Sequence, residues 1–166
     1  MILGISISTF TTIHVIISLL GIATGFVALS ALIQPIWLNR LMIAFFAFTI
    51  ATSVTGFMFH SEKFGPPHVI GTISLIFLAA ALFALYGKHL AGFWRLIFIL
   101  GAVTAQYLNV FVAIVQSFQK IRFLARLAPT QTEHPFLIIQ IVVILLFAVL
   151  GFMVAKNFPR SPTAHV

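Results

Sequence analysis

Imidazole and carboxylate groups are concentrated in the segment HSEKFGPPH (60–68), which lies between two long apolar runs. This segment holds two of the six histidines and Glu62, one of only two acidic residues in the chain. Histidine binds haem iron and divalent metal ions, and its ordinary pKa of about 6.5 lets it exchange protons near neutral pH. Any chemistry of this chain is therefore most readily built around this segment.

The elements that must position these groups are apolar helices. Only 7% of the 166 residues are charged and 61% are hydrophobic, whereas soluble domains carry about 25% charged residues. Each apolar run is close to the roughly 20 residues that cross hydrocarbon as a helix, and none contains Asp, Glu, Lys or Arg. The five runs are 12–33, 41–59, 69–86, 96–115 and 136–155. We predict an all-α fold, a polytopic membrane helical bundle with five transmembrane helices.

The domain organisation follows from the same runs. Residues 1–158 are predicted to form a single transmembrane bundle, and residues 159–166 a disordered tail. The first run has no basic segment before it, so we predict a retained helix rather than a cleaved signal. The longest connector, 116–135, begins with helical spacing. It is predicted to extend the fourth helix or to form an amphipathic turn at the interface.

Five crossings place the termini on opposite sides of the membrane, and we name the N-terminal side face A and the other side face B. Face A receives the connectors 60–68 and 116–135, and face B receives 34–40, 87–95 and the tail. The basic residues of face A are Lys63, Lys120, Arg122 and Arg126, and those of face B are Arg40, Lys88, Arg95, Lys156 and Arg160. This difference of one residue is too small for the positive-inside rule to decide the orientation; we favour face B as the cytoplasmic side, and insertion in both orientations remains open.

Most of the titratable groups fall on face A. His14 starts the first helix, His60 and His68 flank the second connector, and His134 precedes the fifth span. A stripe of small residues that includes Gly21 follows His14 at helical spacing, so His14 is expected to face protein rather than lipid. Polar side chains in hydrocarbon must find partners, which predicts a polar pocket in the face-A half. Its predicted lining is His14, His60, His68, Asn109, Gln116 and Gln140, with Lys63, Lys120 and Arg122 at its mouth.

Several interpretations of this pocket remain open. His14, His60 and His68 are candidate axial ligands of one b-type haem, with Lys63, Lys120 and Arg122 binding its propionates. The same histidines, with Glu62 or Glu133, could instead hold zinc, copper or iron. A third interpretation is a quinone or another small amphipathic ligand. In the fourth, the polar groups only tie helices together, and the protein is an accessory or scaffolding subunit.

Other classes of function are disfavoured. The chain has no Gly-x-Ser-x-Gly elbow and no His-Glu-x-x-His helix, so no catalytic set is recognisable and an enzymatic role is undecided. It has no cysteine, which removes disulfide and thiol chemistry. The net charge of +7 is spread over short loops, which favours the lipid bilayer over nucleic acid as a partner. Association with a second copy or with a partner membrane subunit remains open.

The segment PPHVIGTISLIFLAAALFALYGKHLAGFWR (66–95) resembles small bacterial multi-pass membrane proteins of unknown function. The segments TIHVIISLLGIATGF, AQYLNVFVAIVQSFQK and LAPTQTEHPFLIIQ extend this resemblance over most of the chain. It implies a bacterial inner-membrane location and a single compact bundle, and it transfers no catalytic residue. The element His68-x-x-Gly71 is also similar to b-type cytochrome and quinone-linked families, although the second-face histidines typical of two-haem members are missing here.

Overall fold

The computed structural model describes residues 2, 4–34, 36, 39–59 and 65–158. These residues form helices with the bounds α1 Ile7–Ile33, α2 Asn39–Phe57, α3 Pro66–Leu82, α4 Trp94–Lys120, α5 Arg122–Leu127 and α6 His134–Asn157. A π-helical turn, Phe83–Gly87, continues α3. All except α5 are long and apolar enough to cross a membrane, with α3 counted together with its π turn. The predicted all-α bundle of five membrane-spanning helices is confirmed.

The observed helices begin earlier than the apolar runs because polar and proline residues start them. Ser6 precedes α1, and its hydroxyl accepts a hydrogen bond from the Thr9 backbone N–H at 3.1 Å, as an N-cap residue does. Helix α3 starts at Pro66, where a missing N–H costs nothing. At the other end, α2 stops at Phe57, so the last two residues of the predicted run 41–59 lie outside the helix.

Helix α4 is the most enclosed element of the bundle. The membrane-spanning helices form a closed ring of contacts in the order α1, α2, α3, α4, α6 and back to α1. Helix α4 also contacts α1 and α2, so it packs against all the other spanning helices. Gly101, Ala102 and Ala105 are buried on it, and small residues of this kind allow helices to approach closely in a membrane. The polar side chains Gln106 and Asn109 in the middle of α4 are therefore held within the bundle, whereas Gln119 and Lys120 at its end are exposed.

The connector 116–135 contains both an extension of α4 and a separate short helix, α5, which are the two structures that its sequence allowed. Helix α4 continues to Lys120, and Ile121 then adopts an extended conformation that separates it from α5. The short helix is held against the bundle by Leu124, which packs on a cluster formed by Phe118, Ala128 and Phe136. The segment is thus an extension of the fourth helix followed by a separate amphipathic turn on face A.

Candidate functional site

His14 of α1 forms a hydrogen bond with a side chain of α2 near face A. Its Nδ1 lies 2.7 Å from the hydroxyl oxygen of Thr55, and its ring meets that of Phe59 edge-on, with centroids 5.2 Å apart. The Thr55 hydroxyl donates to the Ala51 carbonyl at 2.7 Å, so its oxygen is left to accept from His14. The network therefore assigns the His14 proton to Nδ1 and leaves Nε2 as an acceptor. His14 therefore lies beside the C-terminal end of α2.

Two amide side chains of α4 tie the centre of the bundle together. Asn109 donates to the hydroxyl of Thr49 on α2 at 3.0 Å, and Gln106 donates to the carbonyl of Ile22 on α1 at 2.8 Å. Gln106 is completely buried. Its amide packs on the bare backbone of Gly25, where an added Cβ would lie 2.6 Å from the Gln106 Cδ. These bonds, worth about 0.6 kcal/mol each in membranes, are helix–helix contacts.

Gln140 differs from these amides because both of its polar side-chain atoms lack a hydrogen-bond partner among the residues that the structure describes, whereas in Gln106 only Oε1 lacks one. Its Nε2 and Oε1 are both enclosed, and neither makes a hydrogen bond. It lies six residues into α6, about 9 Å along the helix from face A at 1.5 Å per residue. Val143 and Phe147 follow it at steps of three and four residues, so the three side chains share one face of α6.

An apolar groove begins one turn below Gln140, where α6 meets α1 and α4. Its volume is about 280 Å³, and it is lined by Phe26, Ser30, Val110, Val143, Leu146, Phe147 and Leu150. The ring of Phe147 contacts those of Phe26 at 5.9 Å and Tyr107 at 5.8 Å between centroids. Leu146 is 62% exposed, so the groove opens sideways towards the bilayer. An enclosed amide above a groove of this kind suits a molecule with a polar end and an apolar body.

The remaining predicted site residues are distributed over other contacts. His68 lies against Phe57, with ring centroids 5.6 Å apart, and its Nδ1 is 3.4 Å from the Gly65 nitrogen. Gln116 is half-buried on α4, and Lys120 and Arg122 are exposed at face A. His60 and Lys63 lie outside the described residues.

The described candidates thus fall into separate groups. His14 and Asn109 are both bonded to α2, His68 lies at the contact of α2 with α3, and Gln140 lies on the face of α6 that lines the groove. In the part of the chain that the structure describes, no three His, Asp or Glu residues are grouped as metal ligands. The metal interpretation also uses His60 and Glu62, which are outside that part, so it stays a prediction.

Two polar residues have structural positions that the sequence did not reveal. Arg95 is only 8% exposed, and its Nη1 donates to the carbonyls of Ala155 and Phe158 at 3.0 and 2.7 Å. Glu133 precedes α6; although desolvation raises the pKa of its carboxyl, hydrogen bonds from Thr130 and Thr132 outweigh this and hold it below the usual value. No motif marks either role, because both depend on distant or irregular backbone.

Comparison of the chain with protein-family models, with curated proteins and with solved structures finds no match in any of the three. The resemblances to multi-pass inner-membrane proteins and to b-type cytochrome families therefore stay predictions.

Proposed function

We propose that this integral membrane protein binds a small amphipathic molecule, such as a quinone, where α1, α4 and α6 meet. The polar end of the ligand hydrogen-bonds to Gln140, and its apolar part occupies the groove lined by Val143 and Phe147. The observations that carry this proposal are the unpartnered amide of Gln140 and the apolar groove, whose lining begins at Val143, one turn further along the same face of α6. On the resemblance alone, we place the protein in the bacterial inner membrane.

The energetics of the Gln140 amide support a ligand. A buried polar group without a partner costs about 1–3 kcal/mol, and hydrocarbon offers no water to replace the missing partner. A primary amide supplies two N–H donors and one carbonyl acceptor, so it pairs with a carbonyl or hydroxyl group on the ligand. Because the groove opens beside Leu146, such a ligand enters from the bilayer rather than from water.

The test is native mass spectrometry of the full-length protein in detergent with decylubiquinone as the probe. Wild type should retain the probe, and Gln140→Leu should bind it about two- to twelvefold more weakly, since a lost hydrogen bond costs about 0.5–1.5 kcal/mol. Gln119→Leu removes the same chemical group from an exposed position at the end of α4 and serves as the matched control. Val143→Trp, whose larger side chain fills the groove, should abolish binding of the probe.

Thermal unfolding of the same variants separates a ligand-binding amide from a structural one. Gln140→Leu should be as stable as wild type or more stable by about 1 kcal/mol, because it removes an unpaired buried amide of similar volume. A scaffolding role predicts the opposite sign, with loss of stability and unchanged probe binding. Equal probe binding by wild type, Gln140→Leu and Val143→Trp would exclude this site.

A b-type haem is the second candidate, because one observation favours it. The bond from His14 Nδ1 to Thr55 orients the ring and leaves Nε2 as an acceptor, which is the usual arrangement of a metal-binding histidine. His68 or His60 would be the second ligand, with Lys63, Lys120 and Arg122 as propionate partners. Protein purified from haem-supplied cells should then show a Soret band that His14→Ala loses, and a colourless wild-type preparation would dismiss haem. Elemental analysis of the same pair tests zinc, copper or iron.

A further inference from the structure

The short helix α5 presents different chemistry on each of its sides. Leu124 faces the bundle and packs on the cluster of Phe118, Ala128 and Phe136. Phe123 and Leu127, one turn apart, are 69% and 42% exposed. Arg122 and Arg126, also one turn apart, are both exposed. Since residues four apart lie on the same side of a helix, α5 has an inward anchor, an apolar pair and a cationic pair.

The cationic side of α5 has no neutralising partner within the described residues. Lys120, Arg122 and Arg126 are three exposed cations within seven residues of sequence, and we call them the basic cluster. The only acidic residue that the structure describes is Glu133. Its carboxylate oxygens accept hydrogen bonds from the backbone N–H groups of Thr130 and Thr132 and from the Thr130 hydroxyl. Like charges one turn apart repel each other by about 0.2–0.5 kcal/mol, and an external anion beside this cluster would remove that cost.

We propose that this cluster and the Phe123–Leu127 pair form a binding site for the headgroup of an anionic phospholipid on face A. The N–H donors of an arginine guanidinium group are spaced to form paired hydrogen bonds with the oxygens of a phosphate diester. Exposed aromatic and aliphatic side chains beside them enter the acyl region, as in interfacial helices that bind anionic membranes. The exposed apolar pair favours a lipid over a free phosphate ion, because a soluble anion leaves Phe123 and Leu127 in water. This site is separate from the groove below Gln140 and does not depend on it.

The test measures lipid retention by the full-length protein with native mass spectrometry after exchange into equimolar phosphatidylglycerol and phosphatidylcholine. Wild type should prefer phosphatidylglycerol, and the double variant Arg122→Gln/Arg126→Gln should lose about tenfold of that preference. The control is Arg40→Gln/Lys156→Gln, which removes two exposed charges from face B and should keep it. Phe123→Ser/Leu127→Ser should weaken retention of both lipids.

Other results would overturn the proposal. An equal loss in the face-A and face-B double variants would mean that only net charge matters. Displacement of phosphatidylglycerol by inorganic phosphate at equal concentration would mean that the cluster binds free anions. Absence of any headgroup preference in wild type would exclude the site. The preference should also fall as salt is raised, because exposed charges are screened.

Discussion

Gly101→Ala should destabilise the bundle, whereas Gly151→Ala, which changes the one glycine of α6, should not. A Cβ at residue 101 would lie 2.6 Å from the backbone oxygen of Phe77 and 2.9 Å from the Cβ of Ala81. Backbone atoms cannot turn aside as a long side chain can, so α3 and α4 must separate. Overpacking of this kind costs about 1–3 kcal/mol. The measurement is thermal unfolding of the purified protein followed by circular dichroism.

The matched control is Gly151→Ala on α6. Its added Cβ would lie 3.5 Å from Cγ1 of Val103, which is ordinary van der Waals contact. Alanine is favoured over glycine in a helix by about 1 kcal/mol, so this variant should be at least as stable as wild type. If Gly101→Ala proves as stable as Gly151→Ala, the close contact of α3 with α4 is not present in the protein.

Arg95→Leu should have the second large effect, by releasing the end of α6. The guanidinium of Arg95 donates to the carbonyls of Ala155 and Phe158 at the C-terminal end of α6 and so ties this end to α4. A cation at this position also complements the helix dipole. Losing two hydrogen bonds from a charged donor costs about 3 kcal/mol. Hydrogen exchange should show faster exchange in the last turns of α6 and little change in α2.

Arg40→Leu is the control for this charge, because Arg40 is exposed at the start of α2. Substitutions at such surface positions usually change stability by less than about 0.5 kcal/mol. Unchanged exchange at the end of α6 in Arg95→Leu would contradict the assigned role of Arg95. Equal destabilisation by Arg40→Leu would show that the positive charge, and not the bonds to α6, matters.

Hydropathy was sufficient to predict the five spans, but not which side of each helix faces its neighbours. A charge inside hydrocarbon costs about 2.5–3.5 kcal/mol, so the absence of charges from long runs marks the spans clearly. In α1 and α6, apolar residues lie around the whole circumference of the helix. The periodicity of hydrophobic residues therefore cannot identify which side contacts a neighbouring helix. The stripe of Gly21 and Gly25 did place His14 towards protein, because small residues mark close helix contacts in membranes.

The site was predicted only in outline for a related reason. The polarity of Asn109 and Gln140 could be read from their residue types, but their partners depend on neighbouring helices. Asn109 donates a hydrogen bond to Thr49, whereas Gln140 has no hydrogen-bond partner in the described part of the chain. Arg95 was predicted as a face-B charge, and only the path of the chain after α6 explains its burial. The cytoplasmic location of face B stays a prediction.

The most direct test of the account is the side-chain amide NMR spectrum of nitrogen-15-labelled protein. The chain has six glutamines, and the pair of amide peaks that disappears in Gln140→Leu identifies Gln140. On addition of decylubiquinone, those peaks should shift, because the Nε2 hydrogens gain an acceptor, while the peaks assigned in the same way to Gln119 stay in place. If the Gln140 peaks do not move at saturating probe, the amide does not bind the polar end of the ligand and the proposed site is wrong.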